Sequence, residues 1–186
     1  MLEIYRERVA ETLRGISLVD YDQVLSCLRK ALEMGSELFF IGNGGSSATA
    51  SHAVNDFVKL ITDQTGKPVR AQCLSDNTAL ITALANDINY SDIYAAQIEK
   101  SHRWDTAVLI ALSGSGNSPN VINAVTQAHK QGWMTIGLSG RGGGQLAGTA
   151  DLSLIVPSQS MQVIEDCHSV LLHCLCLDLI ERLNAS

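Results

Sequence analysis

The sequence predicts an α/β domain, a doubly wound five-stranded parallel sheet flanked by helices, with a helical pair ahead of it. Three observations carry this. Five short apolar runs, at 38–41, 69–74, 107–112, 134–138 and 152–156, alternate with segments of helical period. Most of these runs stop at turns rich in serine, glycine and asparagine, where an open parallel sheet binds its ligands. With 46% apolar and 17% charged residues over 186 positions, one sizeable core is expected and general disorder is not.

The elements follow in order. Leu2, Tyr5, Val9, Leu13 and Ile16 recur at three- and four-residue steps and read as a first helix. Tyr21, Val24, Leu25, Leu28 and Leu32 form a second stripe, with Asp20 as the expected N-cap. The run Leu38-Phe39-Phe40-Ile41 is a buried strand ending in the turn Gly42-Asn43-Gly44-Gly45-Ser46, and helical composition returns over 46–60. A strand at 69–74 ends at Ser75-Asp76-Asn77-Thr78, before a helical segment. The strand at 107–112 ends at Ser113-Gly114-Ser115-Gly116-Asn117-Ser118, and Pro119 opens a helix to about Lys130. The strand at 134–138 precedes Ser139-Gly140-Arg141-Gly142-Gly143-Gly144, and Pro157 closes the strand at 152–156. A last helix covers about 161–183.

The chain reads as a single domain, 1–186, in which 1–34 is the helical pair and 35–186 the α/β core with its C-terminal helix. The last helix is almost wholly apolar from Val170 to Ile180. Such a helix is buried on every side, as in a subunit interface, or else lies across one sheet face.

Thirteen basic against nineteen acidic residues give a net charge of −6, so no broad basic footprint for nucleic acid is expected. No apolar run approaches the ~18 residues that span a bilayer, and the N-terminus lacks a signal-peptide core. Cys27, Cys73, Cys167, Cys174 and Cys176 are odd in number and sit mostly in apolar segments, which fits reduced thiols and a cytoplasmic compartment.

Three constellations can carry chemistry. The serine–glycine loop at 113–118 sits between a strand and a helix, where hydroxyls and open backbone N–H groups make an anion site. It is neither a Walker A loop nor G-x-G-x-x-G, and no cation lies between Arg103 and Lys130. A small monophosphate held by neutral donors fits it; an ordinary Ser/Gly connection fits it too. Second, His52 and Asp56 follow the glycine turn and share one helix face at i,i+4. Surface pairing is the plainer account of that spacing. Third, Glu165, Asp166, His168 and His173 fall in a stretch with two histidines and few counter-charges, where a divalent metal or a proton in transit would balance the carboxylates.

Together these residues resemble the sugar isomerase (SIS) domain family, and within it the sedoheptulose 7-phosphate isomerase (phosphoheptose isomerase) branch. The landmarks are Asn43-Gly-Gly-Ser46 with His52, Leu84-Ala-Asn86-Asp87, Ser113-Gly-Ser-Gly-Asn-Ser-Pro-Asn120, the Gly142-Gly-Gly turn and the series Glu165, His168, His173. The resemblance covers nearly the whole chain. It implies a homotetramer with active sites between subunits and a sugar phosphate as substrate. It implies that Asn43, Gly44, Gly45, Asp56, Asn86, Asp87 and Glu165 contact substrate, and that Ser113, Gly114, Ser115 and Ser118 hold the phosphate. His52, Asp56, Glu165 and His173 match a zinc site, Asp56 the general base and His173 its partner acid. Heptose supply for lipopolysaccharide or capsule is the pathway the branch suggests.

Two positions depart from the branch. Its usual base is glutamate, one methylene longer than Asp56, and its usual glutamine is here Glu165. There is also a geometric tension. In one continuous helix, residues 165 and 173 are about 12 Å apart along the axis. Both reach one metal only if Glu165 precedes the helix or serves another subunit's site. A second class stays open, the phosphosugar-sensing SIS regulators, including a type associated with the replication initiator that lacks a histidine at position 173. A transferase or lyase on an amino-sugar phosphate is a third.

Overall fold

The computed structural model describes residues 1–100 and 106–185. Five parallel strands run in the order β2-β1-β3-β4-β5, with β1 at Glu37–Ile41, β2 at Arg70–Cys73, β3 at Ala107–Ser113, β4 at Met134–Ser139 and β5 at Leu152–Ile155. β1 and β3 lie side by side in register from Glu37↔Ala107 to Ile41↔Ala111. The chain winds outward from this pair in both directions, so the strand order reverses there. The crevice at such a reversal is where doubly wound sheets take ligands. The Asn43 turn and the Ser113 loop leave the sheet on either side of it.

Alternation along each strand fills two cores. Leu38, Phe40, Val108, Ile110 and Leu112 face one side, and Phe39, Ile41, Leu109 and Ala111 the other. The first side is covered by α2 (Leu18–Glu33), α3 (Gly45–Asn55) and α9 (Met161–Asn184). The second packs against α5 (Thr78–Asp87), α6 (Ala95–Lys100), α7 (Pro119–Lys130) and α8 (Gly144–Thr149). There Trp133 stacks on Phe39 with ring centroids 4.5 Å apart.

α2 begins one turn earlier than expected. Its N-cap is Ser17, whose hydroxyl accepts the Asp20 N–H; Asp20 lies inside the first turn, where its charge favours the helix dipole. α1 (Leu2–Arg14) buries none of its residues. Two tyrosines tie the N-terminal pair to the last helix: Tyr5 donates to Asp166 and Tyr21 to Asp178, each at 2.6 Å.

α9 is one continuous helix lying across a sheet face. Leu171, Leu172, Leu175, Cys176 and Leu179 are buried, but Val170, Cys174 and Leu177 form an exposed stripe, so one chain does not enclose it on all sides. The five cysteines are free. Among the described residues, no helix is long and apolar enough to cross a membrane.

Candidate active site

The glycine turn after β1 is shaped by steric demand. Gly44 caps α3 at φ +55°, ψ −121°, a conformation essentially closed to residues with a Cβ. Gly45 starts the helix, and a Cβ there would lie 2.8–2.9 Å from the carboxylate of Glu165 on α9. The absent side chain is what lets an acidic group approach the N-terminus of α3, where a helix favours negative charge. Gly45→Ala is expected to weaken binding of any ligand seated between this turn and Glu165 about tenfold by calorimetric titration, since Glu165 must move. The melting temperature should barely change, because alanine suits a helix.

Facing this turn, the β3 loop folds on its own hydroxyls. Ser113 donates to Ser118 at 3.1 Å, and the Ser115 hydroxyl accepts the Asn117 N–H at 3.2 Å. The second glycine loop supports the first. A Cβ at Gly116 would lie 2.1 Å from the Gly143 carbonyl oxygen, and Asn117 Oδ1 accepts the Gln145 N–H. Between the two turns is a cleft of about 270 Å³ lined by Asn43, Gly44, Gly45, Ser113, Gly114, Ser115, Ser118 and Glu165, with Ser46, Leu112 and Met161. Among the described residues no lysine or arginine lines it. The N-termini of α3 and α7 lead away from its rim, so hydroxyls, amides and helix dipoles are what the cleft offers an anion.

A second cluster lies farther along the same two helices. His52 Nε2 is 3.0 Å from His173 Nε2 and 3.3 Å from Asp56 Oδ2, and His173 Nε2 is 3.4 Å from the same oxygen. α3 gives way to a π-helical segment, Asp56–Ile61, at the carboxylate itself. Such wide turns re-aim a side chain and recur at functional sites. The buried Cys176 on α9 donates to the Asp56 carbonyl at 3.7 Å. These three ligand atoms fit one small cation. With metal–ligand bonds of ~2.0–2.2 Å in tetrahedral array, ligand atoms fall about 3.4 Å apart, leaving a fourth position open. A groove of about 300 Å³ opens beside the two histidines.

The structure does not join all the expected residues. Glu165 lies in the serine cleft, not with His52, Asp56 and His173, because α9 is already helical at 165 and two turns separate it from 173. Within one chain it is therefore not a ligand of that cluster. Asp56 belongs to the cluster and does not line the cleft. Asn86 and Asp87 are exposed at the end of α5, where the Asn86 amide donates to Asp87 at 2.9 Å, and they line neither. Residues given no expected role in the sequence also shape the cleft. Met161 closes over Gly114, where a Cβ would lie 2.4 Å from its sulfur. Tyr90 and Asn120 hold Asn43, and Tyr94 donates to the Gly42 carbonyl beside it. Asn120 is legible in the sequence only as the last residue of the Ser113–Asn120 landmark, not as the partner of Asn43.

The SIS domain family profile matches residues 5–140. The chain belongs to the SIS domain family. As an SIS domain it is 34% identical over 178 residues to a protein of Thermoplasma acidophilum named probable phosphoheptose isomerase, covering 96% of this chain and 97% of that one. It is 35% identical over 183 residues to the phosphoheptose isomerase of Aquifex aeolicus, covering 97% and 94%. Its fold is similar to the solved structure of the phosphoheptose isomerase GmhA from Neisseria gonorrhoeae, with a TM-score of 0.83 at 31% identity over 94% of this chain and 92% of that one. The five-stranded parallel sheet with helices on both faces is thus the SIS fold of that enzyme.

Proposed function

We propose that this SIS protein is an aldose–ketose isomerase that interconverts sedoheptulose 7-phosphate and a heptose 7-phosphate. The reading rests on one observation above all: Asp56 and two imidazoles converge within 3.4 Å between α3 and α9, and a cleft lined by serine hydroxyls, glycines, Asn43 and Glu165 lies nearer the N-termini of the same two helices. Relatives similar over almost the entire chain carry the name phosphoheptose isomerase.

The chemistry follows from the residues. The Ser113–Ser118 loop and the helix N-termini anchor the phosphate, and that remote binding energy orients the reacting carbons. Asp56 takes the proton beside the carbonyl, His173 protonates oxygen, and the reverse transfers complete the shift through an enediol. His52, Asp56 and His173 would hold zinc, which would polarise the carbonyl and stabilise negative charge on its oxygen. Glu165 is placed to accept hydrogen bonds from sugar hydroxyls near the phosphate.

The proposal includes a homotetramer with active sites shared between subunits. α1 buries nothing in one chain, while Leu18 (77% exposed) and Leu177 (54%) flank an apolar groove of about 490 Å³ between the N-terminal pair and α9. A neighbouring subunit is also what would bring Asn86 and Asp87, exposed here, to a cleft. A cytoplasmic location accords with the free thiols.

The test uses purified protein in D2O with C5 to C7 ketose phosphates, with and without zinc or chelator. Isomerisation through an enediol should place one deuterium on carbon in the recovered sugar, seen by mass spectrometry and NMR. Tight binding without deuterium uptake on any sugar, zinc included, would give the chain to the phosphosugar-sensing class. The presence of His173 in the cluster favours the enzyme.

A further inference from the structure

Asn120 is 1% exposed at the start of α7, and both polar atoms of its amide pair with Asn43. Asn43 Nδ2 donates to Asn120 Oδ1 and Asn120 Nδ2 donates to Asn43 Oδ1, both at 2.8 Å, a closed amide pair across the β1/β3 crevice. The Tyr90 hydroxyl donates to Asn43 Oδ1 at 3.1 Å. Tyr94 also lies 3.3 Å from that oxygen, but its one hydrogen goes to the closer Gly42 carbonyl. An amide oxygen has two lone pairs and an amide nitrogen two hydrogens. Asn43 therefore has both lone pairs and one N–H engaged, which leaves a single N–H for a ligand in the cleft it lines.

We infer that Asn120 is a positioning residue that fixes Asn43 as a donor-only contact, so that the group it meets on the substrate is an acceptor: a carbonyl, an ionised oxygen or a phosphate oxygen. This rests on the isomerase reading above and goes beyond it by assigning the polarity of that contact. Without Asn120 the Asn43 amide could turn over and present its oxygen, which repels those same groups. Among the described residues, no lysine or arginine lines the cleft to offset such a reversal.

Asn120→Asp tests this with little change of shape. The introduced carboxylate accepts from Asn43 but donates nothing to Asn43 Oδ1; once protonated it donates again and restores the closed pair. The titratable groups facing it through Asn43 are the Tyr90 and Tyr94 hydroxyls. The variant is compared with the unmodified protein at each pH, in kcat/KM and in the calorimetric affinity for sedoheptulose 7-phosphate. At pH 8 both should fall about 10–100-fold, as for a misplaced contact group. At pH 5.5 the ratio should recover to within about threefold, the worth of a modest hydrogen bond. In an Asn43→Ala background the same change should carry no pH dependence. A ratio that is flat with pH, or a variant equal to the parent throughout, overturns the inference. If the parent binds the sugar but does not turn it over, the isomerase reading fails and the affinity ratio still decides this one. Should Asn120→Asp not fold, Tyr90→Phe at an exposed position removes the other donor to Asn43 Oδ1 and should raise KM about threefold or more; no change in KM would count against the lock.

Discussion

Asp56→Asn is expected to lower turnover of sedoheptulose 7-phosphate by about 10²–10⁴-fold, the range a positioned base or acid contributes. His173→Ala should do the same. Affinity for inorganic phosphate should stay within about threefold in both, because the serine cleft proposed to hold it lies roughly 10 Å along α3 from His52 and shares no residue with the cluster. The two side chains face each other at 3.4 Å, and His52 touches both. They act as a unit, so the double variant should be little worse than either single one. Zinc content separates their two roles. Asp56→Asn keeps an oxygen ligand but loses the charge, so a variant that retains metal and still fails to exchange deuterium has lost its base. Asp56→Glu restores the branch's usual residue on a π-helical turn that carries an aspartate. If that turn aims the shorter side chain, the longer one overshoots and activity falls about tenfold or more. Full activity in Asp56→Asn, or losses that multiply in the double variant, would remove the paired acid–base role.

Much of this arrangement was legible without coordinates. The three central strands are near-continuous apolar runs, and buried parallel strands must look that way because helices cover both faces; the edge strands β2 (Arg70–Cys73) and β5 (Leu152–Ile155) are only partly buried and carry polar residues. His52 and Asp56 are four apart on a helix, so their meeting is local geometry. What was illegible is long-range. Nothing in the run from Glu165 to His173 says which end of α3 each residue will meet. That depends on α9 being helical from Met161 and running in the same direction as α3, so that Glu165 meets Gly45 while His173 meets His52 and Asp56. Asp20 was misread as a cap because both Ser17 and Asp20 are cap-forming types, and the backbone decides between them. The π-helical turn at Asp56 has no sequence signature at all. Asn120 is legible as the end of the Ser113–Asn120 landmark, but its partner lies 77 residues away.

Acidification should destabilise the fold through His168, with an effect as large as any single core contact. The residue is 1% exposed on α9, and among the described residues neither ring nitrogen has a partner at full hydrogen-bond geometry, nor has the Ser139 hydroxyl; the Ser139 backbone is close enough only to act weakly on the ring. Burial drives its pKa from 6.5 down to about 4, and the Ser139 backbone opposes this only in part. The folded chain thus keeps a neutral imidazole where the unfolded chain takes up a proton. Above pH ~6.5 neither state is protonated and the group is silent. As pH falls from about 6.5 to about 4 the unfolded state gains a proton the folded state refuses, so stability is lost, by roughly 3 kcal/mol in all. Below about 4 both states are charged and the loss stops growing. His168→Leu removes the titration and two unpaired nitrogens at little change in volume. Its stability at pH 7.5 should match or exceed that of the parent, since a buried polar group without a partner gains nothing from its polarity. Urea denaturation of both proteins at pH 7.5, 6, 5 and 4 measures the difference directly. Their curves should separate as the pH drops, the parent losing roughly 3 kcal/mol more than the variant. Parallel curves would mean that His168 finds a partner in solution, such as an ordered water bridging it to Ser139, which lets it keep its proton inside the fold.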